Sequence, residues 1–345
     1  MAEILMAYTG GTICSFEEGG CRNLDTSRAK RLIESLFFEH KSEYCKEDVI
    51  FKDSGFKERT LSENMTRCKL WRMAEHIKSF DLSKFRGIII LHGTDTLAYT
   101  ASFLSFVLSD TKIPIMLVSG HKPPNEEGTN ANVNFATAVK LIVDGIAPNI
   151  YVPYRNTDGR MWLHTGATLR QCQNFSDDFE NADVNKKFSV SNGGFFEKCR
   201  DFSVRRKKWD LKLVSDRKVL KISPYTGLDY ENISLDNVGA VIHGTYHSGT
   251  VCVERNDSSG EYGSESVLWL AEKCRERKIP LFIAPSKLSK EQYSSVFDAV
   301  ENGGIVPLHM TTEAAYGKAV LGIGAGLSEA ELEGFMRTEI NNEFV

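Results

Sequence analysis

Closely spaced cysteines, long apolar runs and an excess of basic charge are all missing from this chain of 345 residues. Its eight cysteines are scattered, and none of them shows the two-residue spacing of a zinc or redox motif. No segment reaches the roughly 18 apolar residues that a membrane-spanning helix needs. A net charge of −4 and a pI near 6.1 give no basic surface for nucleic acid. We therefore expect no metal site and no nucleic-acid or membrane partner.

The N-terminus also lacks a secretion signal, because its apolar run is short and is preceded by the acidic Glu3. Scattered thiols are typical of a reducing compartment, so we expect the protein to be cytoplasmic. Hydrophobic residues make up 41% of the chain and charged residues 26%, which is the balance of a globular protein. A chain of this length exceeds one ordinary hydrophobic core, and two domains are expected.

Short apolar runs alternate with amphipathic segments along the first half of the chain. Four runs have the continuous apolar character of buried parallel strands, at 3–8, 87–92, 113–119 and 149–154. Between them the pattern predicts helices at 26–40, 66–80, 96–110 and 130–145. Asp25 or Thr26 is the expected N-cap of the first helix, and Asn64 or Thr66 that of the second. This alternation predicts a doubly wound, mostly parallel α/β sheet.

The alternation begins again in the second half of the chain. Strands are predicted at 218–225, 238–245 and 279–286, and helices at 264–278 and 311–324. The fold class is therefore α/β, with a smaller α/β domain at the C-terminal end. We predict an N-terminal domain over 1–195 that carries the threonine motifs described below, a solvated connector over 196–215 and a C-terminal domain over 216–345.

Two glycine-bearing turns follow predicted strands of the first domain. One is Thr9-Gly10-Gly11-Thr12, and the other is His92-Gly93-Thr94-Asp95-Thr96. Ligands of open parallel sheets bind outside the carboxyl ends of the strands, and glycine lets backbone amides approach a ligand closely. The first turn is not a phosphate loop, because no Gly-Lys-Ser/Thr follows it. Taken alone, it is equally well explained as a simple chain reversal.

Together the two turns place a threonine hydroxyl at each of two strand ends, with Asp95 beside one of them. A threonine alcohol is a poor nucleophile until a neighbouring base removes its proton. Two threonines and a carboxylate that converge on one pocket therefore predict an acyl-transfer site, in which Thr12 and Thr94 face a common crevice. Asp95 has an alternative role as the N-cap of the helix that follows.

Several segments resemble the L-asparaginases. “YTGGTI” (8–13) followed by “ILHGTDTLAYTASFLSF” (90–106) is similar to the two signature segments of that family. “LSENMT” (61–66) resembles its substrate loop, and “IHGTYHSGT” (242–250) and “GGIVPLHMTTEAAYGKAVLGIG” (303–324) resemble its C-terminal segments. The resemblance covers nearly the whole chain, and size and domain pattern look most like the cytoplasmic, type I branch.

The resemblance implies hydrolysis of L-asparagine, or of a closely related small amide, to the acid and ammonia through a threonine acyl-enzyme. The implied catalytic residues are Thr12 as nucleophile, Thr94 and Asp95, and the implied substrate-binding residues are Ser62, Glu63, Gly11 and Gly93. No metal or organic cofactor is expected, since hydroxyls and backbone amides can supply both nucleophile and oxyanion stabilisation. Members of the family assemble as dimers or tetramers, so a homodimer or homotetramer is expected.

One departure from the family pattern concerns the loop after the first threonine. A tyrosine that helps to activate the nucleophile is usual there, but “CSFEEGGCRNLD” (14–25) contains none. By rough alignment Cys21 takes its place. A thiol does not have the reach of a phenol, and Glu17 or Glu18 is the candidate substitute as proton acceptor.

A second departure concerns the lysine that bonds the second threonine in the family. Leu169 or Arg170 aligns with it. Arginine stays protonated and cannot act as a base, so Lys122 from a neighbouring loop is the remaining stand-in, although a solvated surface lysine explains it as well. Loss of one member of a cooperating set commonly costs orders of magnitude in rate.

These departures leave alternatives to asparaginase activity. One is a catalytically weakened amino-acid-binding protein on the same fold, and another is an amidase that acts on a different small amide. A third is the amidase component of a tRNA-dependent amidotransferase. Such components usually carry an additional N-terminal domain, whereas here the first motif begins at residue 9, so an asparaginase-like amidohydrolase is the favoured expectation.

Overall fold

The computed structural model describes residues 1–190, 212–255, 261–287 and 292–345 of the chain. Two compact units are formed, Met1–Trp209 with Ile340–Asn342, and Asp210–Glu339 with Glu343–Val345. The connector predicted over 196–215 falls largely on 191–211, outside the described residues. Each unit has its own sheet and its own apolar core.

The first unit is built around one large sheet. The strands that the structure describes in this unit are β1 (Ala2–Tyr8), β2 (Ser15–Glu18), β3 (Cys21–Leu24), β4 (Val49–Asp53), β5 (Gly87–Leu91), β6 (Ile115–Val118), β7 (Ile150–Arg155), β8 (Met161–Thr165), β9 (Leu169–Arg170), β10 (Glu180–Asn181) and β11 (Lys187–Ser189). Seven of them form a sheet in the order β11-β8-β7-β6-β5-β1-β4. Strands β2 and β3 form a separate antiparallel hairpin, and β9 pairs with β10.

The central strands of this sheet form because their residues are apolar on both faces. Every residue of β5 and β6 is buried. β1 lies between β4 and β5 and pairs in parallel with both, and β5, β6 and β7 continue the parallel arrangement. β8 and β11 run antiparallel at one edge. The prediction of a mostly parallel α/β sheet is confirmed, with an antiparallel edge that it did not include.

Helices connect these strands at α1 (Thr26–Glu39), α2 (Lys41–Tyr44), α3 (Arg67–Lys78), α4 (Leu97–Val107) and α5 (Ala131–Val143). The Asp25 side chain accepts a hydrogen bond from the Arg28 amide at 2.8 Å and is the N-cap of α1. The Thr66 hydroxyl does the same for α3, accepting from the Lys69 amide at 3.4 Å. The alternative role of Asp95 as the cap of α4 is wrong. Thr96 is the N-cap there without a side-chain bond, because the Asp95 carboxylate accepts from a different loop.

The second unit has a smaller parallel sheet. Its strands β12 (Lys218–Ile222), β13 (Val238–His243), β14 (Leu281–Ile283) and β15 (Val306–Pro307) lie in chain order. Its helices are α6 (Val267–Glu276), α7 (Ser294–Glu301), α8 (Thr312–Gly324) and α9 (Glu329–Arg337). Lys318 of α8 is fully buried and pairs with the equally buried Glu343 at 2.6 Å. In the described ranges of both units, no helix combines the length and apolar character needed to cross a membrane.

Candidate active site

Three segments of the first unit meet at the carboxyl ends of β1 and β5. They are the turn at 9–12 after β1, the turn at 92–96 after β5, and the loop at 60–64 that leads into α3. β1 and β5 are neighbours in the sheet, and Gly10 forms an isolated parallel bridge with Thr60. The structure therefore brings the two glycine-bearing turns of the sequence together, and adds the loop at 60–64 to them.

Glycines allow these segments to approach more closely than any other residue would permit. A Cβ on Gly11 would lie 2.1 Å from the Gly93 Cα, and one on Gly93 would lie 2.3 Å from the Ser62 Oγ. A Cβ on Gly10 would lie 2.1 Å from the Thr60 carbonyl oxygen. Gly11 also has a φ of 77°, in the region that favours glycine. Gly11 and Gly93, predicted to bind substrate, thus lie where the two turns make contact.

Backbone hydrogen bonds hold the three segments in register. The Thr60 amide donates to the Thr9 carbonyl at 2.8 Å, and the Gly11 amide donates to the Thr60 carbonyl at 3.2 Å. The Thr9 hydroxyl donates to the Leu91 carbonyl at 2.7 Å. Thr9 is therefore the structural threonine of its turn, because its hydroxyl ties the end of β1 to the end of β5.

Ser62 and Asp95 form a direct pair across two of these segments. The buried Ser62 hydroxyl donates to the Asp95 Oδ2 at 2.9 Å, and the Asp95 amide lies 3.2 Å from the same hydroxyl. The Thr96 hydroxyl donates to the Ser62 carbonyl at 2.8 Å. Asp95 and Glu63 are both exposed. Two of the predicted substrate-binding and catalytic residues are thus in contact, and Glu63 lies beside them on the same short turn.

Lys69 holds the loop at 60–64 in place, and the sequence did not predict this role. The Lys69 ammonium donates to the Thr60 hydroxyl at 3.0 Å and to the Asn64 carbonyl at 2.9 Å. It therefore joins the two ends of the turn that carries Ser62. A lysine on the first turn of a helix gives no signal of this role in the sequence, since the contact depends on how the preceding loop folds back.

Thr12 and Thr94 are half-buried at adjacent turns. Thr12 begins a short 3-10 helix, Thr12–Cys14, and the Thr94 carbonyl accepts from the Leu97 amide at 3.3 Å. Within the described part of the chain, neither hydroxyl has a hydrogen-bond partner. Both hydroxyls are therefore available to a ligand, in contrast to that of Thr9.

His92 between β5 and the Thr94 turn is fully satisfied by its own surroundings. Its Nδ1 lies 2.7 Å from the Gly93 carbonyl oxygen, and its Nε2 lies 3.0 Å from the Thr100 hydroxyl. Burial lowers the pKa of the imidazole to about 4, so the ring is neutral at physiological pH. Because both ring nitrogens are already bonded within the protein, His92 orients the turn and has no free nitrogen to accept a proton from a ligand.

None of the residues proposed to stand in for the missing lysine bonds the Thr94 hydroxyl in the described structure. Leu169 is buried and Arg170 is exposed, whereas the next residue, Gln171, donates from its Nε2 to the Thr94 carbonyl at 3.0 Å. The Lys122 ammonium donates to the Glu127 carbonyl of its own loop at 3.3 Å. The structure thus gives Lys122 a local partner and gives Gln171 the contact to the second turn. This contact joins residues 77 positions apart, a separation at which sequence pattern gives no signal.

The hairpin of β2 and β3 follows Thr12 directly. Glu17 and Glu18 are exposed on β2, and Cys21 is exposed at the start of β3. Glu18 lies 3.7 Å from Arg28. The hairpin therefore presents carboxylates and a thiol to solvent at the positions where the family loop carries its tyrosine.

Two cysteine thiols lie close to these turns but are held protonated. Burial raises the pKa of Cys14 to about 12. Burial also raises the pKa of Cys172 to about 12, helped by the negative charges of Asp177, Asp178 and Asp95. Because the thiolate is the nucleophilic form, neither thiol is an effective nucleophile at neutral pH. Among the described residues, no group of three His, Cys, Asp or Glu side chains is arranged to hold a metal ion.

This arrangement has the parts of a nucleophilic site for a small polar molecule. Two hydroxyls without protein partners in the described structure are available at adjacent strand ends, and a serine–carboxylate pair provides a donor and a negative charge beside them. Backbone amides of glycine turns can stabilise negative charge that develops on a carbonyl oxygen. The geometry therefore suits attack on a carbonyl group.

Curated relatives match the part of the chain that contains these turns. A protein of Methanococcus maripaludis named as the D component of glutamyl-tRNA(Gln) amidotransferase is 34% identical over 199 residues, which cover 54% of this chain and 47% of the relative. The protein of the same name from Methanobrevibacter smithii is 26% identical over 297 residues, which cover 82% of this chain and 65% of the relative. The chain thus spans about half to two thirds of the length of these relatives.

Solved structures show the same fold over the whole chain. The L-asparaginase I of Vibrio cholerae superposes with a TM-score of 0.70 at 21% identity, covering 100% of this chain and 99% of that one. The thermostable L-asparaginase of Thermococcus kodakarensis gives a TM-score of 0.70 at 19% identity, covering 99% of each chain. The family model described as Asparaginase, N-terminal, matches residues 3–193. This match covers more than half of the sequence, and the chain therefore belongs to the asparaginase family.

Proposed function

We propose that this protein is an amidohydrolase that converts L-asparagine to L-aspartate and ammonia, with Thr12 as the nucleophile. The observation that carries the proposal is the contact of Gly11 with Gly93. It sets the Thr12 and Thr94 turns against each other, and both hydroxyls lack a partner in the described structure. A hydroxyl with a purely structural role would be bonded to the protein, as that of Thr9 is to the Leu91 carbonyl.

The chemistry proceeds in two halves. The Thr12 oxygen attacks the side-chain amide carbon, the C–N bond breaks, and the hydroxyl proton leaves with the amide nitrogen as ammonia. Water then attacks the resulting ester, so that L-aspartate departs and the Thr12 hydroxyl is restored. Ser62 and Asp95 are assigned to the substrate's α-carboxylate and α-ammonium groups, with Glu63 beside them, and Thr94 to the opposite side of the amide.

A comparison of two threonines in one turn tests the nucleophile. We expect Thr12→Val to reduce ammonia release from L-asparagine by at least about a thousandfold, because the nucleophile is lost. Thr9→Val is the matched control. It should lower the melting temperature, since the bond to the Leu91 carbonyl is lost, but it should keep activity within about tenfold. If Thr12→Val keeps full activity, the acyl-enzyme assignment is wrong.

The missing lysine and loop tyrosine favour a second candidate, a binder of amino acids with little turnover. Ligand binding to the folded state raises stability by about 2.7 kcal/mol at a hundred times the dissociation constant. Stabilisation by L-aspartate together with no ammonia release from L-asparagine would assign this function instead. Loss of the stabilisation in Ser62→Ala would locate the bound molecule at the same turns.

The names of the curated relatives favour a third candidate, an amidase that supplies ammonia to a tRNA-dependent amidotransferase. In that case the isolated chain would release little ammonia, and a second polypeptide would accompany it when it is purified from its native source. Parallel measurements of kcat/KM for L-asparagine and L-glutamine, with and without that polypeptide, separate the candidates.

We also propose that the protein works in the cytoplasm as a homodimer or homotetramer. One structural relative, from Campylobacter jejuni, is described as a probable cytoplasmic L-asparaginase, which supports the proposed location. The proposed assembly rests on the family resemblance of the sequence. Light scattering coupled to size-exclusion chromatography would give the mass of the assembly, and a monomer would contradict the proposal.

A further inference from the structure

A second polar cleft opens beyond the turns described above, between the loop after β6 and the β7–β8 hairpin. It has a volume of about 230 Å³ and is lined by His121, Gly128, Asn130, Arg155, Asn156, Thr157, Gly159 and Asp177. None of these residues belongs to the turns at 9–12 and 92–96 or to the loop at 60–64. A molecule bound in the cleft would therefore contact different residues from one bound at Thr12 and Thr94.

Side-chain hydrogen bonds fix the walls of this cleft. Asn130 donates to the Arg155 carbonyl at 2.8 Å and accepts from the His121 amide at 3.0 Å. Asn156 donates to the Phe179 carbonyl at 3.0 Å and accepts from its amide at 3.1 Å. Asn130 thus joins the loop after β6 to the β7–β8 hairpin. Asn156 joins the hairpin to the segment that carries Asp177. These hydrogen bonds make the cleft a fixed part of the fold.

The ionisable side chains that line the cleft do not take part in the hydrogen bonds that hold its walls together. Arg155 and His121 are half-buried and Asp177 is exposed. In the described structure the guanidinium, imidazole and carboxylate of these three residues make no hydrogen bond or ion pair. In contrast, the carboxylate of the neighbouring Asp178 accepts hydrogen bonds from the Thr157 amide at 2.6 Å and from the Thr157 hydroxyl at 2.8 Å. One positive and one negative group of the described chain are therefore left without partners in the same small space.

We propose that this cleft binds a small α-amino acid as its zwitterion, with the carboxylate on Arg155 and the ammonium group on Asp177. A planar guanidinium is the preferred partner of a carboxylate. A carboxylate in turn accepts from an ammonium group. The volume is below the roughly 300–1,000 Å³ of pockets for drug-sized ligands, which restricts the occupant to a small metabolite. No step of the proposed amide hydrolysis depends on this cleft.

Calorimetry with L-serine and two truncated analogues tests the assignment. 3-Hydroxypropionate lacks the ammonium group, and ethanolamine lacks the carboxylate. We expect L-serine to bind, and both analogues to bind roughly tenfold more weakly or worse, because each loses one charged hydrogen-bonding group. Absence of L-serine binding to the intact protein would overturn the proposal. Equal binding of 3-hydroxypropionate would also overturn it, since the site would then select an anion and not a zwitterion.

Single substitutions in and near the cleft test where L-serine binds. Arg155→Gln and Asp177→Asn should each weaken L-serine binding roughly tenfold or more, while Arg160→Gln on the same hairpin should leave it unchanged because Arg160 does not line the cleft. Ser62→Ala separates this site from the proposed site at Thr12. If Ser62→Ala abolishes L-serine binding while Arg155→Gln does not, the molecule lies at the Thr12 turns and the proposal is wrong. Thermal unfolding of each variant shows whether the fold is intact, and ammonia release from L-asparagine reports on the proposed hydrolysis independently.

Discussion

The same three-residue turn, His-Gly-Thr, ends β5 in the first unit and β13 in the second. In both places the histidine is buried, and its Nδ1 lies close to the carbonyl oxygen of the following glycine, at 2.7 Å for His92 and 2.6 Å for His243. In both, Nε2 lies beside a hydroxyl, that of Thr100 at 3.0 Å or Tyr230 at 2.7 Å. Since a carbonyl only accepts, Nδ1 carries the proton and Nε2 accepts in each ring.

The two turns differ in what their glycine and threonine meet. Gly93 lies against Gly11 and Ser62, whereas the nearest atom to a Cβ on Gly244 would be 3.2 Å away. The Thr245 hydroxyl donates to the Pro285 carbonyl at 2.9 Å, whereas that of Thr94 has no partner in the described structure. The same local turn thus has different surroundings in the two units. Only in the first of the two turns does a second glycine-bearing turn lie against it and leave the threonine hydroxyl without a partner in the described structure.

The largest difference should appear when the two threonine hydroxyls are removed. We expect Thr94→Val to lower kcat for the proposed asparagine hydrolysis by about a hundredfold to ten-thousandfold with little change in stability. Thr245→Val should keep kcat and lose about 1 kcal/mol of stability, because the Pro285 carbonyl is left without its donor. Initial rates and urea unfolding of both variants measure this. Equal kcat values in the two variants would remove the functional distinction between the turns.

A smaller difference is expected for the glycines. In Gly93→Ala the new methyl group would lie 2.3 Å from the Ser62 Oγ, so the turns must separate. Activity should fall by about a hundredfold and stability by about 1–3 kcal/mol. Gly244→Ala places its methyl group no closer than 3.2 Å to its neighbours and should cost less than about 1 kcal/mol with unchanged activity. Similar losses in both variants would show that close packing of glycine is not special to the first turn.

The smallest difference is expected for the histidines, where the two turns should behave alike. Burial lowers the pKa of His92 and of His243 to about 4, from the ordinary value of 6.5. The folded state therefore binds fewer protons than the unfolded chain between pH 4 and 6.5, and stability rises with pH across that window. Each histidine should remove about 2 kcal/mol of stability between pH 7 and pH 5.

Replacing each histidine by glutamine should flatten this dependence by a similar amount. Urea unfolding midpoints at pH 7 and pH 5 measure the slope in His92→Gln, His243→Gln and the double variant. A flattened slope in only one of the single variants would show that the other ring is protonated in the folded protein. The activity of His92→Gln should fall, because that ring orients the Thr94 turn, whereas His243→Gln should keep it.

Much of the first unit could be read from local pattern. The strands at 3–8 and 87–92 were predicted from continuous apolar runs, and the N-caps Asp25 and Thr66 were among the predicted residues. Strand β4 (Val49–Asp53) was not predicted because its last residues, Lys52 and Asp53, are polar and exposed. β11 was not predicted because it is a three-residue strand at the edge of the sheet. β8 was not predicted because its sequence, MWLHT, lacks the continuous apolar run of the central strands. In the second unit, α7, α9 and β15 were not predicted.

The placement of Thr12, Thr94 and Asp95 at strand ends could be predicted, because one short segment supplies both the turn and the side chain. Their roles in a reaction stay predictions. Lys69 and Gln171 were not predictable, because their contacts with Thr60 and Thr94 join different segments. The prediction of Asp95 as a helix cap failed for the same reason, since Ser62 of another loop binds its carboxylate.

The burial of thiols beside the turns has a practical consequence for chemical labelling. At neutral pH a maleimide reacts with thiolates that solvent can reach. Cys14 and Cys172, with pKa values near 12, stay protonated, whereas Cys21 and Cys68 are exposed. A fluorophore attached at Cys21 would place an optical reporter on the hairpin that follows Thr12, without any engineered cysteine. Cys68→Ser would remove the other cysteine that is exposed among the described residues.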